Sequence, residues 1–161
     1  MTSPYADLCR ATKAISVGLA ACLFSLAASA ETALPPARDL AADAVAAARS
    51  GMPLIVMISL PGCPHCEVVR RSHLLPLLRA GNATHSSLIR QVEINGQEKL
   101  RDFSGRSITH ADFASNYKIK VAPVVMFFGV GGEQLAAPLV GAMIPDFYGA
   151  YFDAALAEAK S

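Results

Sequence analysis

The feature that most constrains this chain is a pair of cysteines, Cys63 and Cys66, placed directly after a short apolar run. The run, PLIVMISL at residues 53–60, is continuous and contains Ile and Val, which is typical of a strand buried on both faces. Two turn residues separate it from Cys63, and Pro64 suits the first position of a helix. The sequence therefore predicts a buried strand, a tight turn, and a helix that opens with C-x-x-C and breaks or kinks at Pro76.

Helix and strand signals alternate along the remainder of the chain and predict one α/β domain. Thr109 followed by Asp112 is a capping box, which marks a helix start. Gly131-Gly132 is predicted to join the last two strands as a hairpin, whereas residues 97–106 are polar and predicted to be irregular. The predicted helices are 39–49, 66–75, 109–117 and 145–160, and the predicted strands are 53–60, 88–94, 121–130 and 133–140. In the helix after the cysteines, Arg70 and Arg71 are predicted to lie on a solvated face. In the last helix, the packed side is predicted to carry Phe147, Tyr151, Phe152, Ala155 and Leu156.

The first thirty residues have the three-part pattern of a secretory signal peptide. Arg10 and Lys13 precede an uncharged apolar stretch, 14–30, that ends in the small residues Ala28-Ser29-Ala30. A transmembrane anchor is the alternative, but this Ala- and Ser-rich stretch is barely long enough to cross a bilayer of about 30 Å. We predict cleavage after Ala30, which takes 30 of the 161 residues and leaves 131.

Cys22 offers a second alternative, because Leu19-Ala20-Ala21-Cys22 resembles a bacterial lipoprotein box that would place a lipid on this cysteine. The apolar run continues past Cys22, which favours ordinary cleavage. Either route exports the protein. Cleavage after Ala30 would remove Cys9 and Cys22 and leave Cys63 and Cys66 as the only cysteines of an exported, periplasmic protein, where thiols can cycle.

The Cys63–Cys66 pair has several chemical interpretations. Haem attachment requires a histidine directly after the second cysteine, and Glu67 stands there. A structural disulfide across one turn would close too small a loop to stabilise much. Zinc needs about four ligands; copper(I) capture by the two thiolates and a histidine stays open. The available histidines are His65, His73, His85 and His110, none at convincing zinc spacing; those other than His65 are predicted to be surface or loop residues.

The order of these elements resembles the thioredoxin superfamily, which implies a central mixed sheet flanked by helices over residues 31–161. VAPVVMFF at residues 121–128 is similar to the strand in which that family carries a cis-proline. Cys63-Pro64-His65-Cys66 matches the motif of DsbA-type disulfide oxidases. Their long helical insertion does not fit this chain, and its size and residues 102–117 are closer to small periplasmic thioredoxins of the SoxW-like group.

The resemblance implies thiol–disulfide oxidoreductase activity. Cys63 would be the nucleophile and Cys66 the resolving cysteine of a redox-active disulfide, with Pro64 stiffening the turn. His65 would adjust the reactivity of Cys63. Ala122 and Pro123, joined by a cis bond, would bind the substrate backbone. Protein thiols or disulfides would be the substrates, a membrane-bound electron donor the redox partner, and no cofactor would be needed.

Two departures from thioredoxins affect the predicted site. Gly62 replaces the Trp that usually precedes the first cysteine, and Met57 replaces the buried acid six residues before it. Both weaken the prediction of a thioredoxin-like reductase. The near-neutral formal charge of +1 argues against nucleic-acid binding, and a monomer is expected. The open alternative from another class is a copper-handling protein that uses the same two cysteines.

Overall fold

The computed structural model describes residues 33–80, 89–142 and 145–161, with the side chains of residues 145 and 146 excepted. All of them belong to one compact unit, Glu31–Ser161. The predicted signal peptide, the alternative lipid site at Cys22, and His85 lie outside the described residues. Within the three described ranges, no helix combines the length and hydropathy that crossing a bilayer requires.

The described chain folds into a mixed sheet, helices and a small hairpin. Short α-helices flank a π-helical segment in the middle of one helical region. In chain order, the elements are α1 (Leu40–Arg49), β1 (Leu54–Ser59), α2 (Pro64–Val69), the π-helical segment (Arg70–Leu74), α3 (Leu75–Ala80), β2 (Ile89–Glu93), β3 (Lys99–Arg101), β4 (Ser107–Thr109), α4 (His110–Asn116), β5 (Val124–Phe128), β6 (Leu139–Val140) and α5 (Pro145–Glu158).

The central sheet has the strand order β2-β1-β5-β6. β1 runs parallel to β2 and antiparallel to β5, so the sheet is mixed, as predicted. Every residue of β1 and β5 is buried, because strands covered on both faces need apolar side chains on both. Phe127 and Phe128 are fully buried core residues. The segment before α1 joins the edge of the sheet, where the Ala37 N–H donates to the Gln91 carbonyl at 2.8 Å.

Pro76 does not end the helix that follows the cysteines, contrary to the prediction. Helical structure continues from Pro64 to Ala80 and includes the π-helical segment just before α3. A proline inside an α-helix cannot donate to the carbonyl four residues earlier, and its ring clashes with that carbonyl. A wider π turn loosens the backbone in the turn that precedes the proline. The chain therefore continues through Pro76.

Residues 97–106 are only partly irregular, because Lys99–Arg101 form β3, which pairs with β4 as an antiparallel hairpin, while residues 102–106 form the connecting turn. The connecting turn is organised by Asp102, whose carboxylate accepts hydrogen bonds from the Ser104 N–H at 2.9 Å and the Arg106 N–H at 2.8 Å. Burial acts to raise the pKa of Asp102, but the hydrogen bonds from Arg106 and Ser104 outweigh it, so the pKa is lowered. The capping box at Thr109 and Asp112 is confirmed.

Two further predictions about the C-terminal part need correction. Of the strand predicted at 133–140, only Leu139–Val140 form a strand, and one isolated bridge joins Gln134 to Phe128. In α5, Tyr148 is buried, but Phe147 and Tyr151 are 61% and 57% exposed. Phe152 and Ala155 are buried as predicted and Leu156 packs against the core. The packed side of α5 therefore includes Tyr148 in place of Phe147 and Tyr151, and Ala159, just after the helix, is also buried.

Candidate functional site

A tight turn at the end of β1 delivers Cys63 to the start of α2. The Cys63 N–H donates to the Leu60 carbonyl at 3.2 Å, which closes the turn. Gly62 has φ +72°, in the left-handed region where a side chain is disfavoured. A Trp at this position would carry a Cβ in that conformation, which is sterically disfavoured.

Cys63 is the N-cap residue of α2. Its Sγ accepts a hydrogen bond from the Cys66 N–H at 3.2 Å, and Pro64 takes the first helical position, as predicted. A helix start leaves backbone N–H groups without intrahelical partners. The Cys63 sulfur satisfies one of them, so this sulfur faces the end of the helix that favours negative charge. Cys63 and Cys66 are both free thiols in this structure.

Cys66 lies behind Cys63 and is only 1% exposed, whereas Cys63 is half-buried. Burial raises the pKa of the Cys66 thiol, and its hydrogen bond to Cys63 raises it further. The Leu60 backbone and the Ser59 side chain act in the opposite direction through hydrogen bonds that favour the thiolate. The pair therefore consists of one accessible sulfur and one sealed sulfur, the asymmetry expected of an attacking and a resolving cysteine.

A buried polar cluster beside Cys66 was not anticipated. Arg70, predicted on a solvated helix face, is only 9% exposed. Its Nη2 donates to Ser59 Oγ at 3.1 Å and its Nε to Gln91 Oε1 at 3.1 Å, while Nη1 pairs with Glu67. Arg71 does lie on the solvated face, with its side chain 74% exposed. The sequence signal that could have revealed this cluster is Ser59, the one polar residue of the LIVMIS strand.

An apolar hollow of about 400 Å³ lies next to the motif. It brings together three residues predicted to act in the site, His65, Ala122 and Pro123. The Ala122–Pro123 peptide bond is cis, as the resemblance predicted. The hollow is completed by Val121, Val140, Gly141 and Ala142.

Two of the described histidines, His110 and His73, have partners away from the cysteine pair. His110 is 2% exposed, contrary to the surface position predicted for it. Its Nδ1 accepts the Glu93 N–H at 3.2 Å and its Nε2 lies 3.1 Å from the Ala37 carbonyl, so it joins α4 to β2 and to the segment before α1. His73 packs against Tyr148. Among the described side chains, no three His, Cys, Asp or Glu residues form a group that could hold a metal ion.

No protein-family model and no curated protein matches this sequence. Three solved structures illustrate the similarity of fold. A thioredoxin-fold protein from Helicobacter pylori is 14% identical, with 69% of this chain and 81% of that chain covered and a TM-score of 0.45. Mitochondrial thioredoxin 3 from Saccharomyces cerevisiae is 13% identical, with 78% and 94% covered and a TM-score of 0.46. A poplar thioredoxin h is 19% identical, with 73% and 95% covered and a TM-score of 0.44.

At such low identity and TM-score, these similarities carry no argument about activity, so the function must be inferred from the site. The architecture itself is the predicted one. Cys63 follows β1 and opens a helix, β2 lies parallel to β1, and the cis-proline precedes β5. The fold is thioredoxin-like, with a mixed sheet flanked by helices.

Proposed function

We propose that this protein is an exported thiol–disulfide oxidoreductase that exchanges two electrons with substrate proteins through Cys63 and Cys66. The observation that carries the proposal is the N-cap position of Cys63, whose Sγ accepts the Cys66 N–H at 3.2 Å while Cys66 is sealed behind it. The thiolate is the attacking species in disulfide exchange, and a helix start favours a thiolate. The two sulfurs can carry the electrons without a further cofactor.

The reaction proceeds in two exchanges. The Cys63 thiolate attacks a substrate disulfide, one substrate sulfur leaves with the electron pair, and a mixed disulfide forms. The Cys66 sulfur, having released its proton, then attacks Cys63. A Cys63–Cys66 disulfide forms, the second substrate sulfur leaves with its electron pair, and the departing sulfurs take up protons. The protein pair is oxidised by two electrons and the substrate disulfide is reduced; the reverse sequence oxidises a substrate dithiol.

The apolar hollow supports a substrate protein as the reaction partner. It is lined by His65, Ala122 and Pro123 beside the motif, and Val121 and Val140 at its margin are more than half exposed. An extended substrate segment with apolar side chains would cover this surface. The proposal extends to the finer points of the sequence prediction, which are periplasmic location, similarity to SoxW-like thioredoxins, a membrane-bound electron donor and a monomeric state.

The direction of exchange is expected to depend on His65, which is exposed beside the cysteine pair. A positive imidazole near the Cys63 thiolate favours the reduced pair and therefore makes the disulfide a stronger oxidant. We expect a reduction potential above that of thioredoxin, between roughly −240 and −130 mV. His65→Gly should lower it by tens of millivolts in glutathione equilibration, and an unchanged potential would contradict this role.

The activity is tested in a full-length Cys9→Ser, Cys22→Ser background, where Cys63 and Cys66 are the only thiols. The reduced protein should reduce a disulfide-containing model protein, with one disulfide cleaved per oxidised cysteine pair. Cys66→Ser should accumulate a mixed disulfide, and Cys63→Ser should not. If neither the parent nor Cys66→Ser forms a mixed disulfide, the proposal fails. Copper(I) retained by the two thiols without any disulfide exchange would instead support the copper-handling alternative.

A further inference from the structure

The Ser59–Arg70 contact lies at the end of β1 that leads into the cysteine pair. Strand alternation puts Met57 and Ser59 on the same face of β1, and Met57 is fully buried and offers no carboxylate. Ser59 is two residues nearer to the cysteine pair and is 1% exposed. A hydroxyl that is buried away from water needs protein partners for its hydrogen bonds.

The donors and acceptors of this contact have one consistent arrangement. A guanidinium can only donate, so the 3.1 Å contact from Arg70 Nη2 occupies the Ser59 oxygen as an acceptor. The single hydroxyl hydrogen of Ser59 then remains available as a donor. Ser59 acts on the Cys66 thiol in the sense that favours the thiolate, which the remaining hydroxyl hydrogen can do by donating. Cys66 lies one turn before Arg70 on the same side of the helix, where its carbonyl accepts the Arg70 N–H, so Arg70 holds the Ser59 hydroxyl on the Cys66 side of the helix. Arg70 therefore sets the direction in which the Ser59 hydroxyl points.

Arg70 is itself held from two other sides. Gln91 on β2 accepts from Nε, and Glu67 on the same helix pairs with Nη1. Arg70 thus makes contacts on β1, on β2 and along its own helix, and it keeps only about a tenth of its side chain exposed. A guanidinium fixed in this way has little freedom to turn away from Ser59.

We propose that Ser59 is a further catalytic residue, which donates a hydrogen bond to the Cys66 sulfur as it attacks the mixed disulfide, and that Arg70 is the positioning residue that orients it. This inference rests on the proposed function. The step is the second exchange described above, in which the Cys63–Cys66 bond forms, the bond from Cys63 to the substrate sulfur breaks, and the substrate sulfur leaves with the electron pair. Ser59 keeps its own proton throughout.

The groups that can influence Cys66 come from three elements. α2, its N-cap and its continuation contribute Cys63, His65, Glu67 and Arg70, while β1 contributes the Ser59 hydroxyl and the residue after it the Leu60 N–H. The strand β5, VVMFF, contributes apolar side chains alone. Of the charged members, Arg70 is the one that lies one helical turn after Cys66 and also contacts Ser59.

The test uses full-length protein with Cys9→Ser, Cys22→Ser and Cys63→Ala, so that Cys66 is the only thiol, and follows the thiolate by ultraviolet absorbance as pH rises. Ser59→Ala should move the titration midpoint upward by about one pH unit, because a hydrogen bond to a charged group is lost. Arg70→Met should move it in the same direction, whereas Arg71→Met, the matched substitution on the exposed face, should not. Combining Ser59→Ala with Arg70→Met should add little to either alone.

An unmoved midpoint in folded Ser59→Ala would overturn the inference, and so would fully additive shifts in the double variant. Should Arg70→Met fail to fold, the Ser59→Ala titration still decides. With Cys63 restored, Ser59→Ala should reduce disulfides about tenfold more slowly at neutral pH, and the difference should close at a pH above both midpoints. The midpoint requires no substrate. An inactive parent would therefore overturn the proposed function, and an unmoved midpoint in an active protein would overturn the role of Ser59.

Discussion

Two partly buried arginines, Arg90 and Arg70, use the same functional group in different ways. Arg90 on β2 contacts Asp43 of α1 with two nitrogens, with Nε to Oδ2 at 2.7 Å, and both side chains are 15% exposed. Arg70 instead distributes its donors over Ser59, Gln91 and Glu67. A guanidinium that meets one carboxylate through two bonds joins two elements. One that divides its bonds between one carboxylate and two neutral acceptors orients the neutral acceptors, here beside the cysteine pair.

The pKa values of the carboxyl groups in the two clusters, Asp43 and Glu67, are shifted in opposite directions. Burial raises the pKa of Asp43 despite its hydrogen bonds to Arg90. The hydrogen bond from Arg70, followed by the charges of Arg70 and Arg71, lowers the pKa of Glu67, whose side chain is 46% exposed. A guanidinium therefore lowers the pKa of the half-exposed Glu67 carboxyl, whereas beside the buried Asp43 it only partly compensates for the loss of hydration.

The largest expected effect comes from breaking the Arg90–Asp43 pair. Asp43→Ala should lower the free energy of unfolding by about 3 kcal/mol, because it removes the carboxylate from a partly buried arginine. Urea denaturation measures this, with Arg71→Met as the control. The exposed Arg71–Glu67 pair should contribute less than about 1 kcal/mol. If Asp43→Ala lowered the free energy of unfolding as little as the control does, the Arg90–Asp43 pair would not hold α1 to β2. Cys63 alkylation should be unchanged in both variants.

The second prediction concerns the two thiols beside the Arg70 cluster. In the reduced protein, Cys63 should alkylate at least about tenfold faster than Cys66 near neutral pH, because Cys66 is sealed and its thiol pKa is raised. Mass spectrometry of partly alkylated protein assigns the modified residue. Equal rates would contradict the assignment of Cys63 as the nucleophile.

A third prediction compares the glycines on either side of β1. Gly51 and Gly62 have φ +66° and +72°, and at both positions no atom of the described residues lies within 4 Å of the point that a Cβ would occupy. Substitution by Ala should therefore cost a similar amount at both, about 1–2 kcal/mol for a left-handed backbone. Gly62→Ala should also change the alkylation rate of Cys63, whereas Gly51→Ala should leave it intact. A change at both positions, or at neither, would mean that the Gly62 turn does not position the sulfur.

The smallest effects are expected in the pH dependence of stability. Asp43 has a folded pKa above its ordinary value of 3.8, so the part of its contribution that varies with pH is complete below that pH and is lost as pH rises through the folded pKa. The pairing with Arg90 persists above the folded pKa. Glu67 has a folded pKa below 4.5, so its contribution is present above that pH and is lost as pH falls through the folded pKa. Thermal melts from roughly pH 3 to 7 measure how much more stable the parent is than each variant. This difference should fall with rising pH for Asp43→Ala and rise with pH for Glu67→Ala. If both differences changed with pH in the same direction, the opposite pKa shifts of Asp43 and Glu67 would be contradicted.

Local sequence determined the elements whose signals lie within a few residues. The apolar run of β1, the Pro64 helix start after Cys63 and the Thr109 capping box were predicted from short-range pattern and are confirmed. Each depends on contacts between residues a few positions apart, such as the Cys66 N–H that reaches back to Cys63. The resemblance added the cis-proline and the mixed sheet.

Tertiary structure alone decided which side chains are covered. Arg70 and Arg71 are adjacent and chemically identical, yet one is buried beside Ser59 and Gln91 and the other is solvated. Likewise, His110 is sealed by groups from β2 and the segment before α1, and α5 buries Tyr148 while it exposes Phe147. Burial depends on elements that lie far away in sequence, and helical periodicity does not specify which of two neighbouring residues those elements will cover.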